Sequence, residues 1–177
     1  RMTDQCFAEL MRSCDRPGFA AKVVYKYPRG GNEIMGPSVY LAREAARIWG
    51  NVRHGVKVIH DDEESRTVRA FAWDAQTNVY VDAEVTFQKL IYRKQGGWQK
   101  PDERDLLELQ NCQAAKAKRD CILEILPRDL VDDAIARAPR TMAKQAKDNP
   151  EDQRKAVIDA FLSLSIDPGD LEAYLGP

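Results

Sequence analysis

Four acidic side chains in a row, Asp61, Asp62, Glu63 and Glu64, follow His60, and Asp74 lies a little further on. Clustered carboxylates bind divalent metals, and a metal-dependent nuclease would use them to activate water. Consecutive carboxylates at a strand end point in different directions, however, and an acidic turn between two strands is accounted for by solvation alone. No nucleophile stands beside a histidine and an acid, because His54 and His60 are the only two histidines and share one short stretch. A second pattern, Gly31-x-x-x-x-Gly36-Pro37-Ser38, nearly spells a phosphate-binding loop for nucleotides. The essential lysine position holds Pro37, which supplies neither charge nor N–H, and Gly31 falls in a hairpin turn rather than after a buried parallel strand. Binding is therefore favoured over catalysis, with no metal and no cofactor expected.

The binding residues are cations interleaved with aromatics. Tyr25 and Tyr27 alternate with Lys26 on a short strand that also carries Lys22, and Arg29 stands in the turn after it. Ser38 opens the next helix after Gly36-Pro37, a place where free backbone N–H groups and the positive dipole end favour an anion. Arg43 and Arg47, four apart on that helix, project from one side. Arg93, Lys94, Trp98 and Lys100 gather where a later strand leaves its sheet, and Gln113, Lys116 and Arg119 fall at steps of three on a long helix, so they share a face. Cations that track phosphates, with aromatics on which bases stack, are what a groove for single-stranded nucleic acid requires. Trp49 and Trp73 lie in apolar patterns and are expected in the core.

These residues need elements to position them. Val56 to His60 alternates, Thr67 to Trp73 is β-branched and aromatic, and Val79 to Tyr92 alternates over a long run, with polar turns at Asp61 to Ser65 and Asp74 to Asn78. Pro101 and Asp102 then open a helical pattern that continues to Leu126. The expected fold class is α+β: an antiparallel three-stranded meander plus a long helix, a β-β-β-α core that makes a stable two-layer unit. Thr3 to Asp15 predicts an N-terminal helix, Lys22 to Met35 a basic hairpin, and Ser38 to Trp49 a helix stopped by Gly50. After Leu126-Pro127 a further helix is expected to end at Pro139, and Asp148 to Asp152 reads as a linker or a new helix start. Residues 1–147 are thus expected to form the core domain and 148–177 a small helical tail, with a final turn around Leu171, Tyr174 and Leu175. The chain begins in mid-pattern at Arg1-Met2, as a piece of a longer protein would.

Composition narrows the partners. With 27 basic and 28 acidic side chains in 177 residues, the formal net charge is −1, so a nucleic-acid site depends on uneven placement. The placement is uneven: residues 22–60 hold seven Lys or Arg against Glu33 and Glu44, residues 87–100 hold four against none, and residues 61–86 hold seven acids against Arg66 and Arg69. Cys6, Cys14, Cys112 and Cys121 match no disulfide or zinc spacing and are expected as reduced thiols. No apolar run reaches the ~20 residues of a membrane span, and a cytoplasmic location is expected.

Several motifs together carry a resemblance: Tyr27-Pro28-Arg29-Gly30-Gly31, Gly36-Pro37-Ser38, Trp49-Gly50-Asn51, Ala72-Trp73-Asp74, and Gln113-x-x-Lys116-x-x-Arg119-x-Cys121-Ile122-Leu123. Over roughly Phe7 to Ala138 the chain resembles phage and prophage recombination proteins of the RecT, Redβ and Erf type. The resemblance implies an ATP-independent single-strand annealing protein, not a hydrolase. It also implies assembly as a homo-oligomer in rings or helical filaments, with single-stranded DNA held between the sheet and the long helix. A bacterial host cell is the implied setting and a phage exonuclease the implied partner. Arg29, Arg43, Arg47, Arg93, Lys116 and Arg119 would contact phosphates, while Tyr25, Tyr27 or Trp98 would stack. Cys112 and Ala115 depart from the polar or basic residues expected there. The alternatives are a self-assembling structural or regulatory phage protein, joined through the strand from Val79 to Tyr92, and the metal-dependent nuclease already described.

Overall fold

A computed structural model describes residues 1–167, 169 and 174, though not the side chains of residues 27, 29, 32, 33, 152, 153 and 156. At its centre lie three antiparallel strands, β3 (Val52–Asp61), β4 (Ser65–Asp74) and β5 (Val79–Gln88), in the order β3-β4-β5. The two-residue period of β4 sets the layers. Val68, Ala70, Ala72 and Asp74 point inward and are buried, while Arg69, Phe71 and Trp73 point to the opposite face. Asn78 closes the β4–β5 turn at φ 57°, a left-handed conformation that asparagine tolerates well. On edge strand β3 the register slips between Val58 and His60, a bulge of the kind that disfavours further pairing at a sheet edge.

The long helix α4 (Glu103–Glu124) crosses the inner face of this sheet. Asp102 caps it by accepting from the Asp105 backbone N–H at 2.8 Å. Where the helix meets the middle of the sheet the surfaces are small, Ala117 and Cys121 lying with Ala70, Ala72 and Ala83, while Ala114 packs with the larger Val68 and Phe87. Small residues let helix and sheet approach closely, and the Cys121 thiol lies 3.8 Å from the Ala70 carbonyl. Behind this layer, α1 (Thr3–Cys14), α3 (Val39–Trp49) and α5 (Arg128–Asp148) close the main core with Leu10, Leu41, Ile122 and Leu130, all fully buried. Burial pushes the Cys14 thiol up to about 11, so it stays protonated and inert.

One charged cluster locks helices to sheet. Arg1 donates through Nη1 and Nη2 to the two Asp74 carboxylate oxygens at 2.7 and 2.8 Å, and also to the carbonyls of Trp49 and Gly50 at 2.7 and 2.8 Å. Its guanidinium lies 4.3 Å from the centre of the Trp49 ring. The last carbonyls of α3 are thereby satisfied by a cation, which also complements the helix dipole.

The α+β class and the β-β-β-α core are as the sequence predicts. Four details differ. Trp73 is not in the core: it shares the open outer face of the sheet with Phe71, Tyr80, Arg53 and Lys57, because the inward parity of β4 is taken by the alanines and Asp74. The alternating run from Val79 to Tyr92 is not one strand. It breaks at Lys89-Leu90, and β6 (Ile91–Arg93) pairs instead with β7 (Gly97–Gln99) in a separate small hairpin. Pro139 does not end its helix, since α5 runs through it to Asp148 while Ala138 and Met142 stay against the core. A four-residue helix, α2 (Pro17–Ala20), lies between α1 and the first hairpin, β1 (Val24–Arg29) with β2 (Asn32–Pro37). Beyond α5, α6 (Pro150–Ser163) has no buried position among its described residues, and the turn expected at Leu171 and Leu175 lies outside the described residues. Among the described residues, no helix is long and apolar enough to cross a membrane.

Candidate functional site

The first hairpin positions Tyr25 through a glycine. Tyr25 pairs across the strands with Gly36, and a Cβ at Gly36 would come within 2.7 Å of the tyrosine hydroxyl and 2.9 Å of the ring. Only glycine lets the ring lie where it does, with the Arg119 guanidinium 5.1 Å from its centre. Gly36→Ala is therefore expected to push the ring off Arg119 while the fold survives. Tyrosine fluorescence and the rate of labelling at the neighbouring Cys112 should both change, and an unaltered spectrum and rate would show that the contact does not depend on that glycine.

Ser38 follows as the N-cap of α3. Its hydroxyl accepts from the Leu41 N–H at 3.1 Å and donates to the Lys22 carbonyl, and the residue is buried. Both functions of the hydroxyl are used within the fold, so Ser38 positions the helix end. It also carries the neighbouring Val39 and Tyr40 into a cleft of about 410 Å³ shared with Tyr25, Cys112, Ala115, Lys116 and Arg119.

The α4 wall of this cleft is a stripe at Cys112, Ala115, Lys116 and Arg119, a spacing of three and four that keeps the residues on one helix face. Cys112 and Ala115, the residues that depart from the resemblance, leave room on this wall. Lys116 is exposed and, among the described residues, has no ion-pair partner. Arg119 is mostly buried and held, donating through Nε and Nη2 to Asp120 at 2.8 and 2.6 Å. Gln113 is exposed one residue off the stripe and does not line the cleft. Tyr25 is covered by Arg119, so the aromatic surface open to a base is that of Tyr40, which is 56% exposed with the Lys22 ammonium 5.8 Å from its ring centre. The one signal for Tyr40 in the sequence is its one-face spacing with Arg43 and Arg47 on α3. Lys26 stands on the opposite side of β1 from Tyr25 by strand alternation, and the side chains of Tyr27 and Arg29 lie outside the described residues.

Arg43 and Arg47 separate in role. Arg47 is bound to Glu44, with Nε at 2.9 Å, and reaches Glu9 at 3.4 Å. Glu44 is in turn held ionised below its ordinary range by Arg47 first and by Ser13 as well. Arg43 is exposed, and its charge acts on His54 of β3 and Lys118 of α4.

The remaining cations lie at the other end of α4. Arg93, on β6, pairs with Asp105, which stands seven and fourteen residues before Cys112 and Arg119 and hence on the same face. At 1.5 Å per residue, that point is about 21 Å from Arg119 along the helix. Trp98 is 69% exposed and edge-on to Tyr92, with ring centres 5.6 Å apart. Lys94 is exposed, and Lys100 makes a loose 3.9 Å contact with Glu63. The fold therefore brings Tyr25, Lys116 and Arg119 into one cleft, leaves Arg43 outside its lining, and places Arg93, Lys94, Trp98 and Lys100 at and beside a separate exposed hairpin.

The acidic run is engaged in building its own turn. Asp62 accepts from the backbone N–H groups of Ser65 and Glu64 at 2.6 and 2.8 Å, and from the Ser65 hydroxyl at 3.0 Å. Asp61 pairs with Arg66 at 2.8 Å and Lys89 at 2.6 Å, which hold its carboxyl well below the usual range. Among the described residues, no three His, Cys, Asp or Glu side chains are grouped to hold a metal ion. All four cysteines are free, with Cys112 alone exposed. No family model, curated protein or solved structure matches the chain.

Proposed function

We propose that this protein binds single-stranded DNA along the cleft beside α4 and promotes pairing of complementary strands without a nucleotide cofactor. The observation that carries this reading is the balance of charge around an open aromatic. Lys22, Lys116 and Arg119 lie around the exposed Tyr40, and among the described residues Asp120 is the one acid paired with any of them. A second cleft, on the far side of Arg119, is lined by Asp120, Glu124 and Asp132 as well as Arg119 and Arg128, and both arginines are paired there with carboxylates, so the Tyr40 side offers a strand the more favourable charge. Annealing requires no covalent chemistry. The protein must hold phosphates while leaving base edges free to pair, so affinity comes from the backbone and sequence preference is weak.

We further propose that the protein acts as an oligomer, in the cytoplasm of a bacterial host and alongside a phage exonuclease. Oligomerisation is supported by the β5 edge of the sheet, which is unpaired among the described residues and exposes Val79 and Tyr80, whereas the bulge blunts the β3 edge. The same β5 edge favours the second reading, a self-assembling structural or regulatory protein that does not bind DNA.

Anisotropy of a labelled oligonucleotide at several salt concentrations separates the two, with the complement added afterwards to follow pairing. The expected result is salt-dependent binding followed by accelerated pairing without ATP. Cys112 supplies an internal reporter, because it lines the cleft and is the one exposed thiol of four. Bound oligonucleotide is expected to slow its alkylation at least several-fold. Assembly without binding even at low salt would favour the structural protein, and binding that leaves Cys112 unprotected would move the strand out of this cleft.

A further inference from the structure

Arg43, His54 and Lys118 come from three elements, α3, β3 and α4, that pack together beside the cleft. Helical spacing joins them to it: Arg43 lies three residues after Tyr40 and Lys118 three after Ala115, and both Tyr40 and Ala115 line the cleft. His54 points to the helix side of the sheet, since it shares the register row of buried Ala72. The charges that act on His54 are Lys118 and Arg43, and the charge that acts on Lys118 is Arg43. No carboxylate offsets them among the described residues. The nearby acids of the same elements are engaged elsewhere, Glu44 with Arg47 and Asp120 with Arg119. His54 and Lys118 are also partly buried, so water screens their repulsion incompletely.

Gathering basic groups without an acid costs stability unless an anion completes the set. We infer that Arg43, His54 and Lys118 form a phosphate-binding site that takes one phosphodiester group of a single strand continuing past Tyr40 from the Lys116–Arg119 cleft. The identity of this ligand rests on the DNA-binding reading; the anion chemistry of the site does not. In the free protein, burial first, then Lys118 and Arg43, holds the His54 pKa below its ordinary value, so the ring is neutral at pH 7. An arriving phosphate reverses the sign of the local field. The imidazole then gains a proton and becomes a second donor to the phosphate oxygens, so binding takes up a proton and tightens as pH falls.

The chain has two histidines, and His60 sits in the acidic turn paired with Asp62, which makes it an internal control. The test follows the ring-proton NMR signals of both against pH, in chloride, then with sulfate as a non-titrating stand-in for phosphate at matched ionic strength, then with oligothymidylate. The expected result is a His54 midpoint that rises by about one pH unit with oligothymidylate and moves in the same direction with sulfate, while His60 stays put. Oligonucleotide affinity should then rise up to about tenfold from pH 8 to pH 6 in the native protein, and this dependence should vanish in His54→Gln. Lys118→Gln, which removes one repelling charge, should raise the His54 midpoint in the free protein. A midpoint unmoved by both anions, in a sample whose anisotropy reports bound oligonucleotide, overturns the site and leaves the cleft intact. A midpoint raised by sulfate in a protein that binds no oligonucleotide supports the anion site and rejects DNA as its ligand.

Discussion

Replacing Asp74 with alanine should lower the melting temperature by about 6–20 °C. Removing one partner of a buried ion pair typically costs about 3–5 kcal/mol, and a chain of this size loses about 2–4 °C per kcal/mol. Arg1 and Asp74 have side chains only 6% and 2% exposed, so the loss strands a guanidinium that also holds the end of α3. The pH dependence has a defined sign. The Arg1 guanidinium, helped by the Gln76 backbone N–H, holds the Asp74 carboxyl far below the ordinary carboxylate value. A depressed folded-state value stabilises at pH above the unfolded value of about 3.9, and that stabilisation is lost as pH falls below it. The stability gap between native protein and Asp74→Asn should accordingly be widest near neutrality and close on acidification below about pH 4. Thermal melts of both proteins across that range check this, and equal melting temperatures at pH 7 would remove the clamp from the account of the fold.

The second large effect is on DNA. At 0.1 M salt each phosphate contact to a single strand contributes about fivefold in affinity, since the logarithm of the binding constant falls with slope near −0.7 per contact. Lys116→Ala should therefore weaken binding about fivefold, equally for unrelated sequences, and flatten the salt slope by about 0.7. Adding Arg119→Ala should take the loss toward, but not beyond, about 25-fold and a slope change of about 1.4, because Arg119 is already paired with Asp120. Lys116→Ala is the cleaner single change, because Lys116 is exposed while Arg119 also covers Tyr25. Affinity and slope unchanged in both single variants would sink the cleft as the DNA site. Arg47→Ala is the comparison: its charge is committed to Glu44 and Glu9, so it should leave the salt slope where it was.

The local pattern of the chain was enough to place the meander, the long helix opening at Pro101-Asp102, and the α3 helix between Ser38 and Gly50, because each is written in a period or a terminal residue, and the structure adds that Asp102 is the cap. The same reading found Lys116, Arg119 and Tyr25 as interleaved cations and aromatics, which the fold then brings into one cleft. Three things needed the tertiary structure. Trp73 was misplaced because hydrophobicity cannot report parity: a two-residue period says that one face is buried, and only packing against the alanines of α4 decides which. The run to Tyr92 kept its alternation but not its partner, since strand pairing is set between segments and not within one. The charges divided in the same way. Sequence gives the number and spacing of Arg43, Arg47, Arg93 and Arg119, but whether a cation is spent on a carboxylate depends on which element folds beside it. Arg47 meets Glu44 and Arg93 meets Asp105, whereas Arg43 meets His54 and Lys118. Periodicity, being local, determined the elements; the free charge of each surface is a sum over segments distant in the chain, and only the packed structure decided it.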